Sequence, residues 1–315
     1  ELHIVDAHHH LWDLRPLARE AVSLFQQKLY LCEEIMWDIN DCGHNIVQTV
    51  FAQCGAFYRA DGPEEMRVVG ETEFVHGIAA MSRSGIYGDT RLCTGIFSAA
   101  DMRMGAAVEP VLVAHMAASE YFRGIRTAFP SDINEMFLEG FALLGKHNLS
   151  FDNWSPDFDR LPQLAELANR NTDVTVIVNH LGGQINIEAG SDEFGRWRAC
   201  IDAVAGCPNT VIKLGGAQMR IGDWEPAYHM NQCDAPLSSN EYLELLYPYY
   251  YHCIEAFGVE RCMFESNFPV DRECISYRSL WNLFKHIAEK AGASEGDKRE
   301  LFSGTAARAY RLDTS

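Results

Sequence analysis

Asp6-Ala7-His8-His9-His10 ends a short apolar run near the start of the chain. In an extended strand, residues two apart point to the same side. His8 and His10 therefore project together, with Asp6 beside them if the strand is regular, and His9 faces the opposite way. Two adjacent imidazoles can share a divalent metal ion. Without a metal they can bind an oxyanion or relay a proton. A third histidine, His180 in VNHLGG, follows another apolar run. The glycines after it let the backbone turn sharply or approach a ligand closely.

Charged groups stand at the ends of other apolar runs. Arg126 ends RGIR, where a buried guanidinium calls for an anion, either a protein carboxylate or a substrate carboxylate. Arg123, near the start of that run, reads as structural. Lys213 in VIKLG poses the same choice: it can hold a substrate anion or pair with a buried carboxylate. Asp152 ends LSFDNW and is a candidate for the substrate face. In FESNFPVD, Glu265 and Asn267 share a face, with Glu265 one layer deeper, where burial would shift its pKa. Cys54 in QCG reads as a small buried hydrophobe rather than a nucleophile.

These residues need strands to position them. Eight short runs rich in Val, Ile and Phe fit buried parallel strands: 2–10, 45–53, 92–98, 122–129, 149–154, 174–179, 211–215 and 262–268. Helical periodicity fills gaps between them. Leu161, Leu164, Leu167 and Ala168 recur at helical spacing, and 241–256 and 280–291 read similarly. Strands alternating with helices predict a (β/α)8 barrel, with a doubly wound sheet as the poorer alternative. No GxGxxG or Walker loop follows any run, which weakens the nucleotide-binding reading. The expected organisation is one barrel domain over 1–315. Two connections, 55–91 and 216–240, look like long loops or lids on the C-terminal face, where barrel active sites sit. Their Tyr58, Arg59, Met219, Trp224 and Tyr228 suggest a ring-shaped substrate with polar substituents.

Composition narrows the class. The chain has 315 residues, 47% hydrophobic and 22% charged, as ordinary globular proteins do. Lys and Arg number 26 against 44 Asp and Glu, a net charge of -18. Such a surface repels nucleic acid and anionic membrane. Ten cysteines include no C-x-x-C pair, which excludes zinc-ribbon and thioredoxin readings and suggests reduced thiols in a cytoplasmic protein. No apolar run reaches ~18 residues, so no membrane helix is expected.

DAHHHLWD, GIR, NHLGG, KLGG and ESNFPVD, in that order, resemble the amidohydrolase-related TIM-barrel family, in particular the branch with pyrone-dicarboxylate lactonase and sugar lactonases. The resemblance spans about Ile4 to Ala307. It implies a hydrolase acting on a lactone or related cyclic carboxyl derivative. His8 and His10 match the family's first-strand pair, His180 its later histidine, and Arg126 a position that can hold a substrate carboxylate. Asn267 stands where the family usually has the Asp that ligates metal and acts as base, and Asp152 stands where a fifth-strand histidine is usual. Some lactonases of this branch work without metal.

The expected activity is therefore opening of a lactone or similar ring with an anionic or aromatic small-molecule substrate. Arg126, Lys213 and Asp152 would contact substrate. His8, His10 and His180 would hold zinc or manganese weakly or act without it, and no organic cofactor is implied. With Asn267 unable to take a proton at neutral pH, His180 ranks first as base and Glu265 second. The alternatives are a non-oxidative decarboxylase of an aromatic or muconate-like acid, and an inactive barrel used for binding. A homo-oligomer is a common default.

Overall fold

The computed structural model describes residues 2–16, 27–183, 187–218 and 237–313. Eight parallel strands follow the chain in order around a barrel: β1 (Ile4–His9), β4 (Ile46–Phe51), β5 (Arg91–Ser98), β6 (Phe122–Ala128), β7 (Ser150–Trp154), β8 (Val176–Val178), β9 (Thr210–Leu214) and β10 (Cys262–Phe264). The ring closes where β10 runs on beside β1. His9 bridges Phe268, Asn267 N–H donates to the His8 carbonyl at 2.9 Å, and His10 N–H donates to the Phe268 carbonyl at 2.7 Å. A small antiparallel pair, β2 (Trp12–Asp13) and β3 (Leu29–Tyr30), sits above the first strand. All eight expected runs are strands, and the architecture is the expected (β/α)8 barrel in one domain.

Helices wrap the barrel because their apolar stripes have the strands' outer faces to cover. Along α5 (Leu161–Arg170), Leu161, Leu164, Ala165, Leu167 and Ala168 are buried. Along α8 (Tyr277–Lys290), Tyr277, Leu280, Trp281, Leu283, Phe284, Ile287 and Ala288 are buried. The remaining outer helices are α1 (Cys32–Asp41), α2 (Val69–Arg83), α3 (Glu109–Ala118), α4 (Glu135–Lys146), α6 (Asp192–Ala205) and α7 (Ser239–Phe257). A short α9 (Glu295–Arg299) and α10 (Thr305–Tyr310) end the chain. Side-chain oxygens of Asn134 and Ser276 cap α4 and α8 by accepting from backbone N–H groups.

The span 55–91 corrects the expectation of one long loop. Its second half is α2. Gly70 and Gly77 weaken the helix signal in the sequence, but Val69, Val75, Ile78 and Ala79 are buried against the barrel and stabilise it. Most of the other long connection, with Met219, Trp224 and Tyr228, lies outside the described residues. Among those described, no helix is long and apolar enough to cross a membrane.

The barrel interior has two floors. Val5, Ala7, Val50, Phe97, Ile177 and Met263 pack with Tyr310 and Leu312 as an apolar plug. Two residues beyond Ile177, Met263 and Val211, which packs against the plug, come Asn179, Glu265 and Lys213, so the strand period lifts polar groups onto the plug. The function of the fold is set on this second floor.

Candidate active site

Strand β1 does not deliver its side chains as a regular strand would. Its register against β4 shifts between Asp6 and His9. Ala7 points into the plug, and His8 turns inward as well. Asp6 is left on the outer side, where it accepts from Ser266 N–H at 2.8 Å, Ser266 hydroxyl at 2.6 Å and Tyr277 hydroxyl at 2.8 Å. The expectation that Asp6 joins the two histidines therefore fails, because the irregularity breaks the two-residue alternation. Burial raises its pKa to about 6. His9 faces outward and meets the Thr49 hydroxyl at 2.8 Å.

The inward histidines form a directed chain. His10 Nδ1 lies 2.8 Å from the Ala52 carbonyl, which can only accept, so the neutral ring carries its proton on Nδ1 and leaves Nε2 bare. His8 Nε2 then donates to His10 Nε2 across 3.1 Å, and Lys213 Nζ donates to His8 Nδ1 at 3.0 Å. Burial, reinforced by the Arg126 cation and, for His8 and His180, by Lys213 as well, holds His8, His10 and His180 well below the ordinary imidazole range.

One carboxylate bonds one of these rings and stands close to another. Glu265 Oε1 lies 2.6 Å from His180 Nδ1, and Oε2 lies 3.0 Å from His8 Nδ1 without hydrogen-bond geometry. Burial pushes the Glu265 pKa up to about 8 against the opposing pull of Lys213. The backbone makes room for this contact. A side chain at Gly215 would collide with Glu265 and one at Gly216 with the His180 ring, so the KLGG pair is what brings the end of β9 this close. His180 itself sits at φ 47°, a left-handed conformation uncommon outside glycine.

Lys213 and Asp152, expected on the substrate, pair instead with each other at 2.6 Å, fully buried beneath the cavity. Asn179 joins them, its Oδ1 accepting from Lys213 at 3.0 Å and its amide donating to Asp152. Neither Lys213 nor Asp152 lines the cavity. Two opposite charges facing each other inside a low-dielectric barrel neutralise each other more cheaply than either could face a substrate alone.

Above this floor opens a cavity of about 570 Å³, of the size that takes a small organic molecule. His10, His180, Arg126 and Asn267 reach it from below, and Trp12, Phe57, Tyr58 and Trp154 wall it. Trp12 stacks on His10 at 6.0 Å between ring centres, and Trp154 meets His180 edge-on at 5.0 Å. Arg126 donates Nη1 to the Gln53 carbonyl at 2.7 Å. Its Nε has no hydrogen-bond partner among the described residues and stands 3.9 Å from Asp152. Asn267 donates to Asp271 Oδ1 at 2.9 Å, which turns its carbonyl oxygen away from that acceptor. Burial drives the Cys54 thiol far up, so it is an inert wall residue.

The donor set suits a divalent ion. Ligand atoms of His8, His180 and Glu265 all lie within 4.8 Å of one another. Two imidazoles held neutral by burial and a carboxylate with one oxygen unbonded make a zinc-type donor set. The sequence pointed to His8, His10 and His180; the structure groups Glu265 with His8 and His180. Glu265 and His180 come from strand ends far apart in the chain, and only barrel closure brings them together.

The sequence did not single out Asn179, Gln53, Trp12 or Trp154. Trp154 was legible in principle, as the last residue of a strand run at the active end. Gln53 acts through its backbone, which no side-chain signal reveals.

A barrel whose strand ends converge histidines, a carboxylate and an arginine on one cavity has the architecture of an enzyme site at the C-terminal face of a (β/α)8 barrel. The amidohydrolase family profile matches residues 5–312, and the chain belongs to that family. It is 31% identical to uncharacterized protein y4mH of Sinorhizobium fredii, over 99% of both chains. It is 30% identical to L-fucono-1,5-lactonase of Burkholderia multivorans, over 59% of this chain and 58% of the lactonase. In three dimensions it resembles an amidohydrolase from Burkholderia multivorans with bound zinc, with a TM-score of 0.74, 21% identity, and coverage of 98% of this chain and 99% of the other.

Proposed function

We propose that the protein hydrolyses a lactone or a related cyclic carboxyl derivative with an anionic or polar ring substrate. The observation that carries this reading is the His180–Glu265 pair, 2.6 Å apart, at the base of a cavity that Arg126 also enters. With Glu265 ionised, as the Lys213 and Arg126 cations favour, its carboxylate holds the His180 Nδ1 proton and leaves Nε2 bare. That nitrogen takes a proton from water as the water attacks the ring carbonyl, and returns it to the departing ring oxygen. Arg126, whose guanidinium borders the cavity, binds the substrate's anionic or carbonyl oxygen. Asn267 orients the water or the substrate through its amide, and the aromatic walls hold the ring flat. If a divalent ion is bound, His8, His180 and Glu265 would hold it, and it would supply Lewis-acid polarisation and a more acidic water.

The identity to a fuconolactonase supports sugar lactones as the first substrates to try. The test is acid release from L-fucono-1,5-lactone and a panel of aldonolactones, followed by pH-indicator absorbance above the spontaneous rate. Acid release that is lost in His180→Asn supports the reading. Release of CO2 from an aromatic acid, with no lactone opened, would replace it with the decarboxylase.

A further inference from the structure

Three segments of chain meet at Glu71, a residue outside the cavity and fully buried. Its Oε1 accepts from three consecutive backbone N–H groups, Cys54 at 3.1 Å, Gly55 at 2.8 Å and Ala56 at 2.9 Å. Its Oε2 accepts from the Ser98 hydroxyl at 2.8 Å. The carboxylate thus ties the segment after β4 to the start of α2 and the end of β5. That same segment orients two site residues through its carbonyls. Ala52 O fixes His10 Nδ1 at 2.8 Å, and Gln53 O fixes Arg126 Nη1 at 2.7 Å.

We infer that Glu71 is a positioning residue that acts through the 52–56 backbone to set the tautomer of His10 and the aim of Arg126. The physical case is one of preorganisation. Three adjacent N–H groups turned to one point fix the course of the segment, and with it the direction of the two carbonyls just before them. A fully buried carboxylate needs donors, and three consecutive part-buried N–H groups supply them, so the pairing makes this turn the stable one. Without Glu71 the segment must find other acceptors, and the two carbonyls move with it. Misplacement by a fraction of an ångström suffices to harm a site built on such groups.

The inference rests on the hydrolase reading for its kinetic consequence but not for its structural one, and the experiment separates the two. Glu71→Ala and Glu71→Gln are compared with the parent by nitrogen-15 NMR of histidine-labelled protein, with the His10 signal assigned by its loss in His10→Asn. The parent should show His10 as the Nδ1–H tautomer. Glu71→Ala should shift it toward a tautomer mixture. Glu71→Gln, whose amide oxygen can still accept from the three N–H groups while its NH2 donates to Ser98, should recover most of the parent signal. With an active lactone, Glu71→Ala should lower kcat/KM by roughly 10–100-fold. In an Arg126→Met background the same change should cost much less in KM, because the arginine it positions is gone. Should Glu71→Ala not fold, Ser98→Ala carries the NMR comparison, with a smaller displacement of the His10 signal; a His10 signal unmoved in it overturns the inference. A folded Glu71→Ala with the parent's His10 tautomer overturns it as well. A changed tautomer in a protein that opens no lactone leaves Glu71 in this role and overturns only the hydrolase.

Discussion

Glu265 Oε1 and His180 Nδ1 meet at 2.6 Å, although 85 residues separate them in the chain. The carboxylate fixes which imidazole nitrogen faces the cavity. Glu265→Gln keeps the shape but lets the amide donate to His180, favouring the opposite tautomer. We expect turnover to fall by roughly 10²–10⁴-fold, the usual worth of a positioned base, with the circular dichroism spectrum unchanged. A folded variant with parental turnover would remove this pair from the mechanism.

Arg126→Met should weaken transition-state binding by about 2–4 kcal/mol, as loss of a charge-assisted contact in a shielded site does. Most of that should appear in KM, since the guanidinium binds rather than reacts. Steady-state kinetics on an opened lactone read it directly. Unchanged KM would make Arg126 a structural partner of Gln53 and Asp152.

His180→Asn and Asn267→Ala distinguish base from orienting group. The first should abolish nearly all turnover. The second should cost less, because Asn267 touches the cavity while holding Asp271 at 2.9 Å and cannot itself take a proton. The reverse order of damage, in two folded variants, contradicts this division of roles.

The metal site should be weak. Lys213 Nζ stands 3.0 Å from His8 Nδ1, so a cation already adjoins the His8, His180 and Glu265 group. Protein purified without chelator should carry less than one equivalent of zinc or manganese by elemental analysis, and some activity should survive a chelator. One full equivalent, whose removal ends turnover, would contradict this.

His115, outside the cavity lining, gives a stability prediction. Burial lowers its pKa from the ordinary 6.5 to about 4, with Nδ1 at 2.7 Å from the Thr72 hydroxyl and Nε2 at 3.0 Å from the Ala99 carbonyl. Between those values the unfolded chain takes up a proton that the folded chain refuses. Stability from this group is present above pH 6.5 and is lost as pH falls toward 4, by up to about 3 kcal/mol. His115→Gln should flatten the fall of unfolding free energy with pH in urea titrations between pH 6.5 and 4. A parental slope would assign the acid sensitivity elsewhere.

The division between chain and fold follows from what each interaction spans. Strand runs, their inward faces and the residues at their active ends are local properties, since alternation and apolar runs need only a few neighbours. His8, His10, His180, Arg126, Asn267 and Glu265 could therefore be placed near the C-terminal ends of their strands from the sequence. Three facts needed the closed barrel. The slip in β1 that turns Asp6 outward is a property of its pairing with β4, not of DAHHH alone. Lys213 and Asp152 became an ion pair because β7 and β9 flank β8 and face each other across the same floor. Glu71 is one of several acids in a polar stretch, and only the packing of α2 beside the ends of β4 and β5 makes it the acceptor for the 54–56 backbone. A sequence states which groups are available, but electrostatic partners are chosen by proximity in three dimensions, and burial then decides which of them must pair.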